Sequence, residues 1–141
     1  MEKNKATGHR DGKVNPEIHR DKAVGPGYSL HSEAHDYSLF LIEMMKGDHI
    51  RHELLEEMLK EQNHFNPGND LLKLGQTGWG LGFAQKPTSK GLMHLHTGNN
   101  DYFQAYAMFV PDKKYGIVLF TNSKTLFPLI ESLGKLIEMQ F

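Results

Sequence analysis

The chain has 141 residues, of which 38% are hydrophobic, with a formal net charge of −1 and no cysteine. That length fits one domain with a lean core, and the near-neutral balance supplies no field to steer nucleic acid or an acidic surface. The missing cysteine excludes disulfides, thiol catalysis and cysteine-ligated zinc, and no apolar run approaches the roughly 18 residues of a membrane span.

In chain order, residues 1–27 come first. Lys3, Lys5, Arg10, Lys13, Arg20 and Lys22 alternate there with Glu2, Asp11, Glu17 and Asp21 among glycines and prolines, with no apolar period. This reads as an extended arm with turns. A basic tail that binds nucleic acid is the sharper alternative, but the interspersed acids and the lack of stacking aromatics speak against it, and no nucleic-acid partner is expected. Residues 28–141 form the single folded domain.

Helices are predicted across residues 32–62. Ser32 suits an N-cap, Glu33 and Asp36 favour the positive end of a helix, and Gly47 is a stop. Between them Tyr37, Phe40, Leu41, Met44 and Met45 form one apolar stripe. A second helix over 48–62 buries Ile50, Leu54, Leu55, Met58 and Leu59, and the run NHFNPGND ends it with turn chemistry at Pro67, Gly68 and Asn69.

The period then changes, and strands are predicted across residues 79–121. Residues 79–83, WGLGF, read as a short strand whose glycines leave room for close backbone approach. Residues 85–91 read as a loop, 92–96 and 102–110 as strands, and 111–114, PDKK, as a hairpin turn. Residues 115–121 form a continuous apolar strand, covered on both faces. A terminal helix over 125–139 carries the stripe Leu129, Ile130, Leu133, Leu136 and Ile137, with Pro128 tolerable in its first turn. Short connections between strands predict an antiparallel meander of 92–96, 102–110 and 115–121, with the last helix packed across it. The fold class is therefore α+β.

Some residues invite other chemistry. His94 and His96 are two apart on a strand, a spacing that can take zinc or copper, but no third ligand is evident and no metal site is assigned. Trp79 is core or cleft wall, with a binding platform as the alternative. No glycine-rich turn follows a strand and opens a helix, so no nucleotide is expected, and no cofactor is implied.

The order LHSEAHDYSLFL, WGLGF, HTG, GIVLFTNS and a terminal helix resembles the C-terminal part of the serine β-lactamase and penicillin-binding-protein superfamily. The style is that of the branch holding class C β-lactamases, D-alanyl-D-alanine carboxypeptidases and related esterases, and ATGHRDGK is similar to a stretch of its helical region. The resemblance implies an antiparallel sheet with helices, like the C-terminal portion of the β-lactamase/transpeptidase-like fold. It also implies a serine hydrolase site built from a Ser-x-x-Lys, a Tyr-x-Asn and a Lys-Thr-Gly or His-Thr-Gly strand. Acyl transfer needs a nucleophile beside a base and donors aimed at the developing oxyanion. The residues that correspond to the cleft strand are His96, Thr97, Gly98 and Asn99. By resemblance the imidazole and hydroxyl hold a substrate carboxylate, Gly98 leaves room for the acyl group, and the Asn99 N–H completes the oxyanion hole.

The other two elements are not matched. Tyr28, Tyr37, Tyr102, Tyr106 and Tyr115 are followed two places on by Leu, Leu, Gln, Met and Ile, so there is no Tyr-x-Asn. The Ser-x-x-Lys at Ser132 and Lys135 falls inside the last helix and after the His-Thr-Gly, which is the ordinary pattern of a surface helix. The chain is therefore expected to be a truncated hydrolase, inactive alone. A hydrolase half that works only with a separate N-terminal piece, or a non-catalytic binding or assembly module, are the alternatives. In the related fold the strand equivalent to 115–121 has an N-terminal strand beside it. Its absence leaves residues 116–120 as a bare apolar edge, so a homodimer through that edge is expected, with the sheet continued across it or the arm laid over the partner. With no signal peptide the chain reads as cytoplasmic and without a membrane partner, although members of the family are often exported.

Overall fold

The computed structural model describes residues 5–15 and 24–140. Two helices open the folded part: α1, Ala34–Lys46, and α2, His52–Leu59. The cap of α1 is Glu33 and not Ser32. Its carboxylate accepts from the N–H groups of His35 at 2.9 Å and Asp36 at 2.6 Å, two of the first-turn donors that a helix cannot satisfy itself. Those bonds, the one from His35 first, hold its carboxyl below the usual range. Gly47 closes the helix in the left-handed conformation at φ 70°, donating to the Glu43 carbonyl.

The second helix is shorter than the expected 48–62, for a reason at each end. The Glu43 carboxylate binds the N–H of His49 at 2.5 Å and its ring at 2.9 Å, pinning that residue to the last turn of α1 before α2 can start. At the far end Gln62 donates to the Trp79 carbonyl, so the backbone is already pairing as sheet. The buried stripe is Leu55 with Met58 and Leu59, while Leu54 faces out.

A sheet of six strands follows, in the order β3 (Asn63–His64), β4 (Gly78–Trp79), β5 (Ala84–Thr88), β6 (Gly91–Asn100), β7 (Phe103–Val110) and β8 (Tyr115–Thr121). The pairings β3–β4, β4–β5 and β5–β6 are antiparallel. The two-residue link from β6 to β7 and the short turn at Pro111–Lys113 are too short for a parallel crossover, so the meander runs as expected.

Three expectations in this region are corrected. Residues 63–64, read as part of a turn, form β3. The strand over 79–83 is only β4, and Gly80 to Phe83 turn the corner. A side chain at Gly80 would lie 2.6 Å from the Met58 carbonyl, and the next N–H, that of Leu81, donates to that same carbonyl at 2.8 Å. Glycine is thus required where the sheet touches the end of α2. The loop over 85–91 is in fact β5 followed by a tight turn. Its Pro87 pairs with Leu92, while β4 reaches only as far as Gln85, so the proline sits where β5 is locally an edge and no donor is wanted.

The chain divides into two compact units. Residues 33–96 and 107–118 enclose a core of Leu41, Met44, Leu55, Phe83, Ala107 and Phe109. Rings run through it in file: Tyr37 to Phe40 at 5.5 Å, Phe40 to Phe83 at 6.3 Å, Phe83 to Phe109 at 5.0 Å and Phe109 to His94 at 5.2 Å between centroids. Edge-on and offset contacts of this kind add to the burial energy of each ring.

The other unit holds residues 1–32, 97–106 and 119–141. Its described arm is more ordered than the sequence reading allowed. His9–Arg10 (β1) and Lys13–Val14 (β2) form a hairpin across Asp11 at φ 51° and Gly12 at φ 73°, both left-handed as a type I′ turn demands. The arm docks on its own chain: the His9 N–H donates to the Asn122 carbonyl at 2.8 Å, and the Asn122 amide donates to the Thr7 carbonyl at 2.8 Å. The last helix, α3, spans Leu126–Gln140. Leu126 is buried, Ile130 and Leu133 are half-buried, and Leu129 and Leu136 are exposed, so the stripe is narrower than expected. The side chain of Ile137 lies outside the described residues. Among the described residues, no helix is long and apolar enough to cross a membrane.

Two substitutions check this packing. Phe109→Ala removes a ring with no exposed surface and is expected to cost about 3–5 kcal/mol of unfolding free energy. Gly134→Ala adds a methyl with nothing within 4 Å in mid-α3 and is expected to stabilise by about 1 kcal/mol. Urea midpoints of the two variants measure both.

Candidate active site

The strand β6 carries the residues singled out by the sequence, and its two ends differ. Its start is fixed by a turn in which Thr88 Oγ1 donates to the Gly91 carbonyl at 2.7 Å and accepts from the Lys90 N–H at 3.1 Å. His94 and Leu95 are then buried, whereas His96, Thr97 and Asn99 are exposed and Gly98 is half-buried.

The two histidines do not share a ligand position. His94 lies flat on Phe109 with rings 25° apart, and its Nδ1 has no hydrogen-bond partner. Burial pushes its pKa down, and the nearby Asp112 carboxylate opposes that only in part. His94 is therefore a neutral, packed imidazole. His96 instead meets the half-buried Trp79 ring edge-on at 5.6 Å and 66°, and is itself exposed. Trp79 thus packs against His96. Among the described residues, the carboxylates and imidazoles that come within metal-binding distance as a trio are Glu33, His35 and Asp36. They are exposed at the start of α1, where Glu33 is engaged as the cap.

Residues 97–99 sit in the other unit. A side chain at Gly98 would lie 3.3 Å from the Ala105 Cβ on β7, so this position has little room for anything larger. Asn99 Oδ1 accepts from Gln104 Nε2 at 3.4 Å, and Gln104 Oε1 accepts from the Leu126 N–H at 3.0 Å. Gln104 is 6% exposed. Sequence reasoning missed it, although a glutamine early in the otherwise apolar run FQAYAMFV is the kind of buried polar residue that signals a specific partner. The turn from β6 to β7 places Asp101 at φ 39°, and its carboxylate meets Lys124 at 3.0 Å.

The Ser-x-x-Lys of α3 is occupied locally. Ser132 Oγ donates to the Pro128 carbonyl one turn back at 3.1 Å, and Lys135 pairs with Glu131 at 3.3 Å, both on the exposed side of the helix.

The strand β6 thus presents imidazole, hydroxyl, glycine and an amide held by Gln104 in succession. The chain matches the model of the Beta-lactamase family over residues 2–134 and belongs to that family. Its fold is similar to that of the octameric penicillin-binding protein homologue from Pyrococcus abyssi, with a TM-score of 0.54, 22% sequence identity, and 70% of this chain covered. The match covers 24% of that neighbour, so the chain spans about a quarter of its length. No curated protein matches the chain.

The buried histidine makes a pH-dependent difference. The unfolded chain binds a proton at His94 near the ordinary value of about 6.5, before the folded chain does. The stability it permits is complete above that pH and is lost as the pH falls toward the lowered folded value. Wild type is expected to lose more stability than His94→Phe between pH 7.5 and pH 5.5, read as urea midpoints at the two pH values. Parallel losses would show that His94 does not titrate in this way. His49, whose pKa is raised by its hydrogen bond to Glu43, contributes with the opposite sign and equally in both proteins.

Proposed function

We propose that residues 96–99 form one wall of an acyl-transfer site of the β-lactamase type, and that these 141 residues supply the wall without the nucleophile. What carries the reading is the run His96, Thr97, Gly98 and Asn99 on β6, exposed except for the half-buried Gly98, in a chain of this family. His96 and the Thr97 hydroxyl hold a carboxylate of the substrate. Gly98 lets the acyl group come close to the strand. The Asn99 N–H donates to the carbonyl oxygen as it gains negative charge, where a preorganised donor is worth most. On this reading a hydroxyl nucleophile, its base and the relay come from other polypeptide; the local bonds of Ser132 to Pro128 and of Lys135 to Glu131 within α3 support it.

The isolated chain is accordingly expected to show no turnover of a chromogenic cephalosporin or an activated ester, since loss of the nucleophile costs orders of magnitude in rate. Benzylpenicillin at millimolar concentration is expected to shift the amide signals of residues 96–99 and leave those of α1 in place. Absence of any shift would overturn the wall. A penicilloyl adduct mapped to Ser132 by mass spectrometry would overturn the missing nucleophile.

The second reading is self-association. Among the described residues β8 stands at the end of the strand order, beside β7, and its Gly116 is exposed. A strand in that position is a template for another chain. A second copy, or a separate N-terminal half of the hydrolase, is the proposed partner. The arm is not needed for the partner's edge, because its residues 7–9 already bind Asn122 of the same chain. Sedimentation at micromolar concentration is expected to show a dimer, and a monomer at every concentration would remove this reading.

A further inference from the structure

The Leu126 N–H is one of the first-turn donors of α3 that has no acceptor inside the helix. Leu126 has no exposed surface, so water does not replace the missing partner. The acceptor comes from another strand: Gln104 Oε1 on β7, at 3.0 Å. A side-chain amide has one acceptor end and one donor end. Once Oε1 is committed to Leu126, the orientation of the group is settled, and Nε2 must face the other way. It meets Asn99 Oδ1 at 3.4 Å. The first turn of a helix thus dictates, through one buried amide, which way the Asn99 side chain points. A second tether joins the same two segments, since Lys124 just before α3 holds Asp101 just after β6.

We propose that Gln104 is the positioning residue of the candidate active site, fixing Asn99 at the end of β6 by clamping it to the start of α3. Its functional meaning rests on the acyl-site reading, in which the Asn99 N–H is the oxyanion donor. With Asn99 anchored, that N–H is held in place before the substrate arrives, and no ordering cost falls on the reaction. Gln104 itself touches no reacting atom.

The two ends of the amide are separable. Gln104→Glu keeps an acceptor for Leu126, with a negative charge that the helix start favours, but has no donor for Asn99. Gln104→Leu removes both. In the full chain observed by NMR, Gln104→Glu is expected to keep the slow exchange of the Leu126 amide and to shift the Asn99 backbone and side-chain signals. Gln104→Leu is expected to shift the same signals and to speed Leu126 exchange by roughly tenfold or more, as loss of a buried hydrogen bond should. Should the buried carboxylate prevent folding, Asn99→Ala reads the clamp from its exposed side: the Gln104 side-chain NH2 signals shift while Leu126 protection stays. Asn99 signals indifferent to Gln104→Glu, or Gln104 signals indifferent to Asn99→Ala, would overturn the proposal. Benzylpenicillin titrated into the same samples separates the two readings. If Asn99 responds to Gln104→Glu but never to penicillin, the clamp stands and the acyl site falls.

Discussion

Phe109 is the ring on which one half of this protein turns. It has no exposed surface, takes the edge of Phe83 on one side and lies face to face with His94 on the other. Through Phe83 it reaches Phe40 and α1, and through His94 it reaches β6. Removing water from so many apolar faces at once is the main favourable term in a lean core. The contact also explains the choice of a histidine where a phenylalanine would pack. A neutral imidazole stacks like a small aromatic ring, and the cost is a buried Nδ1 with no hydrogen-bond partner.

From that anchor β6 continues into the exposed run, and the same residue type changes its work within two positions. His94 is packing, while His96 is a wet imidazole braced by Trp79. On the proposed acyl-site reading, the groups that meet the substrate carboxylate lie at the surface with their support beneath. Here the support is aromatic under His96 and amide under Asn99. Neither support lies in the motif itself, and the glutamine beneath Asn99 also does duty as the missing cap of α3.

Much of this was legible. The meander from β6 to β8 was announced by apolar runs around a Pro-Asp-Lys-Lys turn. β5 was not, because Lys86, Pro87 and Ser89 look like a loop unless it is known that β4 pairs no further along β5 than Gln85. The hairpin of the arm was hidden for the opposite reason. Asp11-Gly12 is a strong turn signal, but the strands on either side are two residues long and hold a single apolar residue, Val14, so no alternation marks them. The shorter α2 depended on Glu43 reaching six residues ahead to His49, a contact no local propensity encodes. Gln104 could be flagged from sequence as an odd polar residue, but its partners are set by where the first N–H of α3 comes to rest.

The arm's attachment has a consequence for how the chain is assembled. His9 and Asn122 are 113 positions apart. Closing so long a loop carries an entropy that grows only slowly with length, so the final contact is affordable, but it cannot form until the last strand exists. During synthesis the arm is therefore made long before it can settle. Its hairpin can form on its own turn chemistry and wait, a prefabricated piece whose docking marks the arrival of Asn122.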